Sequence, residues 1–283
     1  MPFINALLQM NPILMLTVFI ILFSGTGIFG TLLYRKYIRV RIDESHNEIT
    51  SNGFAMVGGF YGLLLAFVVF LVWDQFNSAQ QNADMEGSLS KGLYRDIKFY
   101  PASNDSASIL EKKMLTLTFV NYIKDVLTED SLLDKEGVES LAYIYFRDTV
   151  TVKSFNTFFK LIEHMHDSAD YKNQRIEQML EQLNDLATYR SLRGLALDSE
   201  IDFYIWIPLW LGGFITMLFA FMMNIENKNI HIIINGLIGA FIALIFYIIV
   251  LSDHPFTGRL RIDIKKSMGK IITWEEGGMM DEK

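Results

Sequence analysis

The sequence predicts an all-α integral membrane protein: four transmembrane helices, with a helical extramembrane domain inserted between the second and the third. Three observations predict it. Of the 283 residues, 51% are hydrophobic, 22 being Phe. That composition is too apolar for an ordinary soluble domain with 20% charged residues. Four runs free of Lys, Arg, Asp and Glu, Pro12 to Tyr34, Phe54 to Trp73, Phe203 to Ile225 and Ile230 to Leu251, each approach the roughly 20 residues a helix needs to cross about 30 Å of hydrocarbon. Between the second and third runs lies one long polar segment.

The first run follows Met1 to Asn11, which carries no Lys or Arg. It also exceeds the usual signal-peptide core, so it is expected to stay in the mature chain. The expected segments are an N-terminal transmembrane pair over residues 1–73, the extramembrane domain over 74–201, a C-terminal pair over 202–258, and a basic then frayed tail over 259–283. No turn signal separates Trp73 from the polar residues after it. The second span therefore continues as helix to about Ile97, wet on most sides through Asn77, Gln80, Gln81, Asn82 and Asp84. The third span is expected to have a helical extension of its own.

The middle segment, Asp74 to Glu200, holds 14 Lys and Arg against 21 Asp and Glu, which accounts for the whole chain's net charge of −7. An acidic domain without a basic stripe argues against nucleic acid as a partner, since that binding runs on phosphate neutralisation. Leu115, Phe119, Tyr122, Ile123 and Val126 recur at helical spacing, as do Ile176, Leu180, Leu183 and Ala187. Pro101 to Asp105 separates one helix from the next, with Asp105 or Ser106 as N-cap. From Ala142 to Phe159, aromatic and β-branched residues weaken the helical pattern.

Chemistry-bearing motifs are few. With no Cys, disulfides, cysteine-based zinc sites and thiol nucleophiles are excluded. Gly25 to Gly30 satisfies GxGxxG, but it lies inside an apolar helix, where glycines serve close helix packing. Ala55, Gly58, Gly59 and Gly62, and likewise Gly236 with Ala240, form small-xxx-small pairs. Each pair implies close packing either within one chain or between subunits. His164 and His166 point about 200° apart on a helix, and His166 pairs better with Asp170 one turn on. Two ligands make no metal site, and no catalytic residue, metal or cofactor is expected. Basic residues lie in the first inter-span loop (Arg35, Lys36, Arg39, Arg41) and after the last span (Arg259, Arg261, Lys265, Lys266, Lys270). The two groups fall on opposite faces, so charge counting leaves orientation open.

The stretch Phe54 to Phe76, the phrase Leu93-Tyr94-Arg95-Asp96 and Asp253-His254-Pro255-Phe256-Thr257-Gly258 together resemble a bacterial and plant membrane family of unassigned function described as bestrophin-like. More distantly, Gly59, Phe60 and Tyr61, followed by Trp73, Asp74, Gln75 and Phe76, resemble a motif of the bestrophin anion channels, with a spacing longer by about one helical turn. The resemblance implies a homo-oligomer, a pentamer in bestrophins, in a bacterial inner (plasma) membrane, with the second span lining a pore for inorganic anions such as chloride. It places Phe60 on the pore face, and helical repetition adds Asn52, Met56, Leu64 and Phe67. Trp73 and Phe76 would anchor the span at the interface. It also implies a cytoplasmic middle domain and termini. Arg259 and Arg261 stand where bestrophins carry a calcium-clasping acidic run, so calcium gating is not implied. The alternative is a non-conducting scaffold or stress-signalling protein whose acidic domain binds a protein partner.

Overall fold

The computed structural model describes residues 7–38, 44–100, 106–165, 170–199, 201–223 and 225–277. Its helices are α1 (Pro12–Tyr37), α2 (Glu44–Lys98), α3 (Ser106–Glu136), α4 (Leu141–Tyr145), α5 (Val152–His164), α6 (Asp170–Asp198), α7 (Phe203–Met222), α8 (Lys228–Ser252) and α9 (Lys265–Glu275), with a π-helical segment at Phe146–Thr151. Four are long and apolar enough to cross a membrane: Pro12–Tyr37, Asn47–Lys98, Phe203–Met222 and Lys228–Ser252. The chain divides into two compact units, one of Met1–Asn77, Ser199–His254 and Gly258–Leu260, the other of Ser78–Asp198, Pro255–Thr257 and Arg261–Lys283. The boundary at Asn77 falls inside α2.

In the first unit, α1 begins at a preset Pro12, with Asn11 Oδ1 accepting from the Ile13 N–H at 3.0 Å. It lies along α8 at distances that only glycine permits. A methyl on Gly27 would fall on the Asn235 carbonyl and one on Gly239 on the Phe23 carbonyl, while one on Gly30 would fall on the Phe221 ring of α7. Ser24 Oγ donates to Gly236 O at 2.9 Å. Gly27 and Gly30 of the GxGxxG run thus serve helix packing, whereas a methyl on Gly25 meets nothing within 4 Å, and Gly236 packs within the chain against Ile28. From α2, Tyr61, Leu65, Val68 and Val72 join Leu209 and Met217 of α7 and Ile242, Phe246 and Ile249 of α8 in the core.

The third span departs from expectation at both ends. It stops at Met222, short of Ile225, and it has no helical extension: α6 ends at Asp198 and α7 starts at Phe203. The interruption has a partner, since Asp253 Oδ1 accepts from the Ile201 N–H at 2.7 Å. Asp202, in the extended ψ of an N-cap, then begins α7.

In the second unit, Leu115, Phe119, Tyr122, Ile123 and Val126 are all buried with Ile176 and Leu183, as their spacing predicts. The ambiguous stretch resolves into α4, one wide π turn and α5, with Thr151 Oγ1 donating to Phe146 O five residues back at 3.2 Å. The α2 extension is not wet on most sides. Ala79 and Ala83 pack with Leu133, Tyr143 and Phe256, and Leu93, Tyr94 and Ile97 enter the main core. The tail after Trp274 does not begin to fray there, because Glu275 accepts from Lys98 Nζ at 2.6 Å and from the Tyr94 hydroxyl at 2.7 Å. Arg39, Arg41, Asp105 and His166 lie outside the described residues.

Buried charges tie the second unit together. Arg193 Nε donates to Glu86 at 2.7 Å and its NH2 lies 3.7 Å from Glu129, which Arg190 approaches at 3.2 Å. Burial pushes the Tyr122 hydroxyl beside Arg190 up to about 12. Arg261 reaches Asp130 at 3.4 Å and Asp134 at 3.6 Å. Each carboxylate therefore meets a guanidinium, which buried ions require.

Candidate functional site: an uncovered face of the second helix

Within the first unit, α2 turns one side inward and leaves the other bare. The buried positions are Tyr61, Leu65, Val68 and Val72, which share one face at the 3.6-residue period. Opposite them, Met56, Phe60, Leu63, Phe67 and Phe70 are all more than half exposed, a run of large apolar side chains that lies outside the unit's core cluster. Asn52, one turn before Met56, is exposed as well.

Four of the five expected pore-facing residues, Asn52, Met56, Phe60 and Phe67, therefore share the bare face. Leu64 does not. It is half-buried against the unit's core, because four residues from Phe60 the helix has advanced about 40° toward the Tyr61 side. Leu63 occupies the corresponding place on the stripe.

The glycines of this helix are open too. A methyl built on Gly58, Gly59 or Gly62 meets nothing within 4 Å. Among the described residues no helix lies close against Gly58, Gly59 or Gly62, unlike Gly27 of α1 and Gly239 of α8.

Tyr61 fixes how the face is presented. Its hydroxyl donates to Leu209 O at 3.0 Å. Its ring fills the space that Gly212 and Gly213 leave on α7, where a methyl on Gly212 would come within 2.5 Å of Cδ2. Further along, the Trp73 and Phe76 rings stack at 6.2 Å, with Asp74 exposed and Gln75 half-buried.

The phrase Asp253 to Gly258 has structural assignments. Asp253 holds the start of α7, and His254 Nδ1 lies 3.9 Å from Asp253 Oδ2. Phe256 is buried in the second unit. Gly258 takes φ +84° against the Leu8 carbonyl, a conformation that side chains disfavour. Arg259 Nε donates to Gln9 O at 3.1 Å.

A buried polar network went unread in the sequence. Arg35 donates to Ile225 O at 3.0 Å and lies 3.1 Å from His231 Nδ1. His231 Nε2 lies 3.1 Å from Ala220 O, to which Asn235 Nδ2 also donates at 3.3 Å, while donating to Thr31 Oγ1 at 2.7 Å. A neutral ring protonated at Nε2 satisfies both neighbours. The network serves backbone carbonyls at and beyond the end of α7, which no further helical turn can satisfy. Its signal was present: Thr31, His231 and Asn235 are polar residues inside or beside apolar runs.

A family model described as Bestrophin-like domain matches residues 21–265. The crystal structure of one point mutant of a bacterial Bestrophin homolog from Klebsiella pneumoniae superposes with a TM-score of 0.64 at 12% identity, covering 93% of this chain and 98% of that one. A second point mutant of that homolog gives 0.63 at 12% identity, covering 95% and 100%. Among curated proteins, none matches the sequence.

Proposed function

Starting from a chain that belongs to the Bestrophin-like family, we propose that it is an oligomeric ion channel whose pore is lined by the bare face of α2. One observation carries the reading. Asn52, Met56, Phe60 and Phe67 share a face that stays largely exposed among the described residues, and at the Gly59 position on its flank an added methyl meets nothing within 4 Å. Copies of the chain set around an axis would bring these side chains together as rings. Phe60 and Phe67 then form apolar constrictions able to gate by dewetting. The positive ring edges of Phe favour a partly dehydrated anion over a cation, so the permeant class is small inorganic anions, chloride first. Trp73 and Phe76 hold the end of the span at the interface. Lipid and further copies of the chain are its partners.

The purified protein in planar bilayers is expected to carry anion-selective current, and Phe60→Ala is expected to change its conductance or gating. Absence of current at every voltage, pH and calcium level tried, with correctly assembled protein, would leave a non-conducting scaffold as the better reading.

A further inference from the structure

The bare face of α2 continues past its apolar side chains. Seven residues beyond Phe67, or about 700° around the helix, Asp74 returns to within about 20° of the same direction, about 10 Å further along the axis. Val72, about 200° away from Asp74, is fully buried, whereas Asp74 is exposed. From Asn52 to Asn77 it is the one charged residue of the chain. Among the described residues, no Lys, Arg or His forms an ion pair with it.

An unpaired carboxylate is costly inside hydrocarbon. Asp74 stands one residue past Trp73, whose ring suits the membrane interface, so its charge belongs to the wet end of the apolar stripe.

We propose that Asp74 is a specificity-determining residue of the channel: copies of it form a ring of carboxylates at the mouth of the pore and oppose the entry of anions. This rests on the reading that the bare face lines the pore. The two features of that face then act in opposite senses, the ring edges of Phe60 and Phe67 favouring anions and the carboxylates lowering their concentration at the entrance. Ionic strength decides between them. At about 0.01 M salt the Debye length is about 30 Å, and the field of the carboxylates reaches Phe67; at about 1 M it is about 3 Å, and the field is screened before the constriction. Preference for chloride over potassium therefore rises with salt.

Single-channel currents of the full chain in planar bilayers test this in symmetric potassium chloride at about 0.01 M and about 1 M. A potential of about one RT at the mouth changes the local chloride concentration about threefold, so Asp74→Asn is expected to carry about threefold more chloride current at the lower salt. At the higher salt it is expected to match the unsubstituted chain. Asp74→Ser, a second neutral side chain, is expected to behave as Asp74→Asn does, and Asp74→Glu, which keeps the charge, to follow the unsubstituted chain at both concentrations. The proposal is overturned if the neutral variants gain nothing at low salt or lose their current, if their gain persists undiminished at high salt, or if Asp74→Glu shares it. Each of those outcomes leaves the channel standing. Absence of current from every chain, the unsubstituted one included, removes the channel itself and the carboxylate ring with it.

Discussion

Phe60 and Tyr61 are adjacent in the chain and meet different surroundings. Tyr61 is 6% exposed and bonded to Leu209 O, whereas Phe60 is 72% exposed. One helical step of about 100° separates a packing residue from the candidate constriction. Whatever holds Tyr61 also sets where Phe60 points.

Gly212 makes that relationship testable from outside α2. In Gly212→Ala the added methyl meets the Tyr61 ring, and overpacking of this kind costs about 1–3 kcal/mol. The variant is expected to melt lower in detergent and to alter single-channel conductance, while Tyr61→Phe loses only about 1 kcal/mol. Unchanged conductance in a destabilised Gly212→Ala would show that Tyr61 does not govern the Phe60 position.

Gly58 and Gly62, each two residues and about 200° from Phe60, report what covers the flank of α2 turned away from the bare face. If other subunits pack there, Gly58→Ala and Gly62→Ala shift the protein toward smaller species in light scattering after size exclusion. A lipid-covered face gives the opposite pattern, with oligomer size retained and stability raised by up to about 1 kcal/mol from helix propensity.

Asp130 gives a pH dependence in the second unit. Burial raises its carboxyl above the ordinary value, against the lowering pull of Arg261 and Arg193. A raised folded-state pKa means the native form keeps this proton to higher pH than the unfolded chain does. The associated stability is therefore complete below the unfolded value of about 4 and is lost as pH rises through the folded value. Thermal unfolding across that window is expected to fall more steeply with pH in the wild type than in Asp130→Asn. Parallel curves would refute it.

Arg193 sits between Glu86 and Glu129 at 2% exposure. Arg193→Met leaves two buried carboxylates without it, and breaking such a pair costs about 3–5 kcal/mol. Chemical denaturation is expected to show that loss, and adding Glu86→Gln is expected to return part of it. Full additivity of the two changes would mean that the groups do not interact.

The spans were legible because length and the lack of formal charge are properties of the chain alone. Leu115 to Val126 could be read for the same reason, since one helical face carries the whole signal. That Leu64 is half-buried while Phe60 is exposed was not legible, because the helical repeat gives relative directions along α2 but not which direction α7 and α8 occupy. The missing extension of the third span depended on Asp253 meeting the Ile201 N–H from 52 residues away, and no local pattern encodes that. Arg35 and His231 were missed for the same cause, being 196 residues apart.

By itself, the sequence determined that four segments suit hydrocarbon, that the middle of the chain is helical and acidic, and that no cysteine chemistry is available, because burial energetics and composition need no partner. Only the tertiary structure decided which glycines are filled: Gly27 and Gly239 by the backbone of the facing helix and Gly30 by the Phe221 ring, while Gly58, Gly59 and Gly62 stay open. The reason is that periodicity specifies a face, whereas its occupancy depends on which other helix, distant in sequence, comes to lie against it.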